Sequence, residues 1–311
     1  MPLPTALHEI LPGVTLKLSR EETEEVLFTV MKDLLSRHKI NLKSIDILVS
    51  NCSLFCPTPI SSIIINNFGL RSNIKNFSLS GMGCSAGMLS ISLVKDLLKV
   101  HTNSLALVLS IEAVAPDGYR GCTKSMLIAN TIFRMGGAAI LLSNRHKDKH
   151  IAKSACITIL QAASIWVVSD SPENLVYLEK RNLMCQISEK LLSTSARGGL
   201  RGLVHAGGRT IIQAVEDNLR LHKEDGEASK MTLHRFGNTS SASVWLLWYE
   251  LCYLEAKGKM KKGDRVQQTA FRSGFKTNSA VWKCISDLNP DVRNAWSARI
   301  HFYPVNIHNI L

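Results

Sequence analysis

Ser80-Gly81-Met82-Gly83-Cys84-Ser85-Ala86-Gly87 is the stretch from which the fold is read. Three glycines, Ser85 and Ala86 crowd a single cysteine, and a helical pattern starts directly after it: Met88, Leu89, Leu93 and Leu97 share one face. Upstream, Ile74, Phe77 and Leu79 spell a short strand with alternating apolar positions. A cysteine between a strand and a helix lies near the helix N-terminus, where unpaired N–H groups and the dipole favour an anion. That placement is expected to lower the thiol pKa and make Cys84 a nucleophile. A small residue packed into a tight turn is the alternative, since buried cysteines are common.

Working outward, the same alternation recurs. Ser19-Arg20-Glu21-Glu22 has the form of a capping box, followed by a helix in which Leu27, Val30, Met31 and Leu34 share a face. Ile45–Val49 is predicted as a central strand, Asn51–Pro59 as a turn-rich segment and Ile60–Phe68 as a helix. Leu105–Ile111 and Gly137–Ser143 are further buried strands. Beyond residue 145 the alternation fades: Ile157–Ile159 and Ile165–Val168 read as short strands and Leu175–Leu192 as helical. It returns at Gly207-Gly208, which lead into a helix with Ile211, Ile212, Val215 and Leu219 on one face. Phe236–Ser241 is then a polar turn before an apolar helix reaching about Lys257. Lys262-Gly263-Asp264 turns into a strand over Arg265–Phe271, and Ala298–Val305 reads as the last strand. Helices alternating with buried strands imply an α/β fold whose sheets are covered on both sides. The two halves have the look of a duplicated architecture, although no repeat shows at the residue level.

Composition narrows the class. A chain of 311 residues with 45% hydrophobic and 20% charged residues buries one large core or two ordinary ones. No run approaches the roughly 18 apolar residues of a membrane span. Met1-Pro2-Leu3-Pro4-Thr5 lacks the basic and apolar regions of a signal peptide, so a chain in the cytosol or on its face of a membrane is expected. Eight scattered cysteines without such a signal favour free thiols. Cys52 and Cys56 have no second pair at metal-ligand spacing, which argues against zinc. The net charge of +12 is concentrated in Arg145–Lys153 and Lys257–Arg265, without interleaved aromatics. These runs read as solvated loops able to attract a phosphorylated cofactor or anionic surface, with no nucleic-acid signature. His146 and His150, four apart, fall inside the first run and read as loop residues.

Two residues stand out as partners for Cys84. His205 precedes a Gly-Gly pair, where close backbone approach lets a side chain project into a cleft. Asn238 lies in a Gly-Asn-Thr-Ser-Ser turn. Each has a structural alternative, His205 as a hydrogen-bonded core histidine and Asn238 as a helix cap. Cysteine with distant histidine and asparagine is nevertheless a known catalytic grouping.

Six segments carry a resemblance. Asn51-Cys52-Ser53-Leu54-Phe55-Cys56-Pro57-Thr58-Pro59, Gly81–Gly87 and Phe133-Arg134-Met135-Gly136-Gly137 do so, as do His205-Ala206-Gly207-Gly208-Arg209, His234–Ser241 and Asn278-Ser279-Ala280-Val281-Trp282-Lys283. Together they resemble the plant 3-ketoacyl-CoA synthases, condensing enzymes of very-long-chain fatty acid elongation and relatives of chalcone synthase. The similarity spans about 1–145 and 202–284. It implies a thiolase-like layered αβαβα fold of two similar halves, incomplete in the middle. Residues 1–145 then form the half with the nucleophile, 146–201 a divergent connection, and 202–311 the half with histidine and asparagine. The resemblance assigns the nucleophile to Cys84, the enolate-stabilising donors to His205 and Asn238, and supporting places to His234 and Gly274. On physical grounds a histidine at His205 can pair with the thiolate as a cation first and donate to the enolate oxygen later. The resemblance further implies acyl-CoA and malonyl-CoA as substrates, no cofactor, no metal, a homodimer, other elongase enzymes as partners, and the endoplasmic reticulum membrane as location.

The chain departs from the family pattern in four places. By the resemblance its first residue is expected to fall inside what would be the catalytic domain, and the interval from Cys84 to His205 reads as shorter by several tens of residues. About three extra residues follow the Asn238 turn near Ser243–Glu250, which would rotate the next apolar face by roughly 60°. Arg272 stands where the family carries glycine. A non-catalytic member that binds acyl-CoA or dimerises with active relatives is therefore the second reading.

Overall fold

The computed structural model describes residues 16–38, 40–53, 59–114, 118–119, 121, 123, 127, 130–150, 152, 154–163, 200–219, 221–222, 224–272, 276–285 and 294–306. Among these, six helices flank two four-stranded sheets. The first sheet comprises β1 (Ile47–Cys52), β2 (Lys75–Ser80), β3 (Leu105–Glu112) and β4 (Gly136–Ser143). Its order is β2-β1-β3-β4, with the first three strands parallel and β4 antiparallel to β3. The second comprises β5 (Ser154–Ala163), β6 (Leu200–Val204), β7 (Arg265–Arg272) and β8 (Lys276–Cys284), in the order β5-β8-β7-β6. Here only β6 and β7 run parallel.

Side-chain alternation along β1 and β3 builds the layers. Leu48, Leu105, Leu107, Leu109 and Ile111 face one way, onto α1 (Leu16–Arg37) and α2 (Ile60–Phe68). Ile47, Val49, Ala106 and Val108 face the other, onto Ile91 and Val94 of α3 (Ala86–Val100). α3 reaches the second sheet as well, through Met88 against Ala270 and Ala280. Beyond that sheet, α5 (Glu227–Phe236) and α6 (Leu246–Ala256) close the outer core around Trp296 and Tyr253. The remaining helix, α4 (Arg209–Leu219), follows β6. The result is five layers, α/β/α/β/α, with α3 in the centre. No helix among the described residues is long and apolar enough to cross a membrane.

Several expectations shift. The predicted helix at 60–68 is α2, with its C-cap Gly69 in the left-handed region at φ 61°. Ser19 does not cap α1: Leu16–Leu18 are already helical before it, it is buried, and its carbonyl accepts from Thr23 Oγ1 at 2.8 Å. The predicted strand at 45–49 lies two residues later and continues through the polar Ser50, Asn51 and Cys52. It does so because Asn51 is satisfied inside, donating to Ser90 Oγ at 2.8 Å and accepting from Ser110 Oγ at 2.6 Å. In α4, Ile212 and Val215 are buried but Ile211 is exposed. Arg145 does not belong to a solvated loop; its guanidinium pairs with Asp148 at 2.7 Å and is largely covered, while His146, Lys147 and Lys149 are exposed.

The predicted last strand is absent at 298–305, where a short 3-10 turn (Ile300–Phe302) lies instead. This segment is held by rings rather than by a ladder: Trp296 donates to Tyr249 O and packs edge-on to Tyr253 and Tyr303. Ile157–Ile159 falls within β5. Ile165–Val168 and Leu175–Leu192 lie outside the described residues.

Candidate active site

Cys84 sits in the turn between β2 and α3. Gly81 and Gly83 take left-handed φ values of 65° and 66°, which only glycine adopts without strain. Ser53, just past β1, donates to Gly83 O at 2.6 Å and ties the turn to the central strand. Ser85 caps α3 without a side-chain hydrogen bond. The thiol is half-buried, and burial pushes its pKa above the ordinary value. The nearby Glu112 charge adds to that rise, whereas hydrogen bonds from Ser240 and from a backbone N–H oppose it. Burial thus sets a direction at Cys84 opposite to the lowering expected at the helix N-terminus.

His205 follows directly on β6. Its N–H donates to Thr269 O at 2.9 Å, prolonging the β6–β7 ladder by one residue. The side chain is buried, and its Nδ1 finds no partner among the described residues. Burial depresses the imidazole pKa to about 4, so the ring is neutral near neutrality and does not present the cation expected opposite the thiolate. A Cβ at Gly207 would lie 3.0 Å from His205 Cδ2 and 3.1 Å from Nε2. The glycine after His-Ala is therefore what lets the ring lie against its own loop.

Asn238 is held from three sides. Its N–H donates to Ile132 O, and its own carbonyl accepts from Arg134 N–H, both at 2.9 Å. This parallel bridge to Phe133 docks the turn on the Phe-Arg-Met-Gly-Gly segment. There Gly136 leaves room for Thr239, which a Cβ would meet at 2.6 Å. Asn238 Oδ1 accepts from Ser240 N–H at 2.8 Å, and Nδ2 donates to Gly207 O at 3.0 Å. Those partners fix which end of the amide is the donor. Ser240 Oγ in turn donates to Cys84 Sγ at 3.4 Å. One chain of contacts therefore runs from the nucleophile through Ser240 and Asn238 to the His205 loop.

His234 lies elsewhere: it is exposed on α5, its Nδ1 3.4 Å from the Tyr303 hydroxyl. Gly274 is outside the described residues, and Arg272 stands in register with Lys276 at the end of the β7–β8 hairpin. Cys52 is a strand residue donating to Glu112 Oε1 at 3.4 Å, and Cys56 lies outside the described residues. Among the described residues, no three histidines, cysteines or acids gather where a metal could bind. Ser240 and Glu112 are site residues that the sequence reading did not single out. Ser240 lay inside a quoted motif, and Glu112 is a charged residue, itself buried, closing a mostly apolar strand.

Residues 2–165 match the family described as FAE1/Type III polyketide synthase-like protein, and residues 201–284 match 3-oxoacyl-[acyl-carrier-protein] synthase III C terminal. The chain is 52% identical to 3-ketoacyl-CoA synthase 7 of Arabidopsis thaliana, over 97% of its own length and 75% of that relative. The chain belongs to the 3-ketoacyl-CoA synthase family.

Another member, 3-ketoacyl-CoA synthase 5 of Arabidopsis thaliana, is 42% identical over 99% of the chain and 72% of its own length. The first alignment runs over 349 positions, more than the chain's 311 residues, so the chain lacks several tens of positions present in that relative. Neither family match covers 166–200. Among solved structures, 1,3,6,8-tetrahydroxynaphthalene synthase from Streptomyces coelicolor A3(2) superposes with a TM-score of 0.73 at 18% identity, covering 91% of this chain and 85% of that one. PKS-I from the brown alga Ectocarpus siliculosus gives 0.70 at 20% identity, over 87% and 76%. These likenesses establish the thiolase-like fold of this 3-ketoacyl-CoA synthase family member.

Proposed function

We propose that the chain condenses a long-chain acyl-CoA with malonyl-CoA, using Cys84 as nucleophile and His205 and Asn238 as donors. The observation that carries the reading is the hydrogen-bonded path from Cys84 Sγ through Ser240 to Asn238 and on to the His205 loop. Cys84 Sγ, losing its proton, attacks the acyl-CoA carbonyl; the C–S bond to CoA breaks and CoA leaves as the thiol. Malonyl-CoA then loses CO2, and the electron pair from the broken C–C bond passes into an enolate. Asn238 Nδ2 and an N–H of neutral His205 donate to the enolate oxygen, and preorganised donors of this kind are worth about 3 kcal/mol of barrier each. A neutral imidazole still carries one N–H, so burial removes its charge without removing its donor. The enolate carbon attacks the acyl-Cys84 carbonyl, the bond to Sγ breaks, and 3-ketoacyl-CoA departs.

So written, the reaction consumes two CoA thioesters and no cofactor. Family membership supports a homodimer, association with other elongase enzymes and a place at the endoplasmic reticulum membrane. A second reading is a member that binds acyl-CoA or pairs with active relatives without condensing. The alignment positions that this chain lacks favour it. Release of labelled CO2 from malonyl-CoA separates the two. Release that depends on added acyl-CoA and on Cys84 is expected; none at any acyl-CoA concentration would leave the second reading standing.

A further inference from the structure

Ser240 sits oddly for its residue type. Its φ is 50°, and Asn103 is the only other non-glycine residue with positive φ among the described residues. Asparagine enters that region readily, whereas serine rarely does. A glycine would take the same backbone without strain, so a serine here retains something that only its side chain supplies. That side chain is buried and aimed at one atom, Cys84 Sγ, 3.4 Å away. The same residue's N–H holds Asn238 Oδ1 at 2.8 Å.

We infer that Ser240 is a further catalytic residue, whose hydroxyl donates to the Cys84 sulfur and stabilises it as the attacking thiolate while its backbone N–H orients Asn238. The inference deepens the proposed function and rests on Cys84 being the nucleophile.

The surroundings leave that task to a neutral donor. Glu112, at the end of β3, is the charged side chain acting on the sulfur, and it opposes ionisation. The first turn of α3 holds no acidic residue, and the 3-10 turn Ser240–Trp245 holds neither acid nor base. His205, on the loop after β6, is neutral in the folded protein. A hydroxyl donating to a sulfur anion makes a charge-assisted bond, which strengthens as the proton leaves.

The test is alkylation of Cys84 by iodoacetamide across a pH series, read on the Cys84 peptide by mass spectrometry. It compares the unmodified chain with Ser240→Ala and Ser240→Gly. Both variants lack the hydroxyl, but only glycine relaxes the backbone, so at least one keeps the turn. Both are expected to move the alkylation midpoint up by about one pH unit and to slow alkylation at pH 7.5 about tenfold. Acyl loading is expected to slow in parallel, with no change in the KM for acyl-CoA. Wild-type midpoints in both variants, or a shift in Ser240→Ala alone, would overturn the inference, the latter by tracing the effect to backbone strain. Alkylation reads the thiol whether or not the chain condenses malonyl-CoA. A shifted midpoint without CO2 release would therefore count against the proposed function and leave the role of Ser240 intact.

Discussion

Glu112 Oε2 accepts two hydrogen bonds from Ser241, one from its backbone N–H at 3.0 Å and one from its hydroxyl at 2.9 Å. Both residues are fully buried. One belongs to the end of β3 in the first half of the chain, the other to the turn carrying Asn238 in the second. The other oxygen, Oε1, takes Cys52 Sγ of β1 at 3.4 Å. A buried acid thus pins the donor turn against the strand layer beneath the nucleophile, and it does so at a cost to thiol ionisation.

Glu112→Gln separates those two effects. An amide oxygen still accepts from Ser241, but the charge that raises the Cys84 pKa is gone. The Cys84 alkylation midpoint is expected to fall, opposite in direction to the Ser240 variants. Glu112→Ala leaves the buried Ser241 N–H unsatisfied, while its hydroxyl keeps Ile111 O at 3.1 Å, and is expected to cost about 2 kcal/mol in urea unfolding. A midpoint that stays put in Glu112→Gln would remove Glu112 from the electrostatics of the sulfur.

Gly207→Ala tests the His205 pocket. The new Cβ would stand 3.0 Å from the His205 ring, so ring or loop must give by a few tenths of an ångström. Malonyl-CoA decarboxylation is expected to drop about tenfold while acyl loading of Cys84 is retained, since misplacing a donor by a fraction of an ångström weakens only the step it serves. Equal loss of both half-reactions, with a lowered Tm, would mean general damage to the fold.

Burial of neutral His205 also ties stability to pH. Its pKa is about 4 folded against 6.5 unfolded, so between those values the unfolded chain binds more protons. The contribution is present above pH 6.5 and is lost as pH falls toward 4, by about 3 kcal/mol in total. His205→Gln is expected to flatten that part of the stability–pH curve. An unchanged slope would place the titration on other groups.

Glu250 on α6 shows the opposite sign. It is buried, its Oε1 lacks a partner among the described residues, and burial raises its pKa well above 4.5 despite a hydrogen bond with Ser229. The folded state holds the proton that the unfolded chain releases, so stability falls as pH rises from 4.5 toward the folded pKa, by about 1.4 kcal/mol per pH unit. Glu250→Gln is expected to raise Tm, by more at pH 8 than at pH 5. A pH-independent difference would show that Glu250 is charged in the fold.

What was legible in the sequence follows from how local each signal is. α2 and the Cys84 turn were clear because glycine, proline and apolar spacing mark them within a few residues. The end of β1 was not, since Asn51 and Cys52 look like a turn until Ser90 and Ser110 arrive from other elements to satisfy the one and Glu112 the other. The segment 298–305 has strand-like composition, but its packing depends on Trp296, Tyr249 and Tyr303 meeting in space. In the site, Cys84, His205 and Asn238 stood out by motif. Ser240 and Glu112 did not, because each acts through a partner more than 100 residues away. The pKa directions were likewise out of reach, because they follow from burial, which raises the Cys84 thiol and removes the charge of His205.

The most direct test of the account is the mass of the Cys84 peptide after incubation with a long-chain acyl-CoA. The expected result is one acyl thioester on Cys84, absent in Cys84→Ser and discharged on adding malonyl-CoA with release of CO2. No adduct on the folded chain, or an adduct retained in Cys84→Ser, would contradict it.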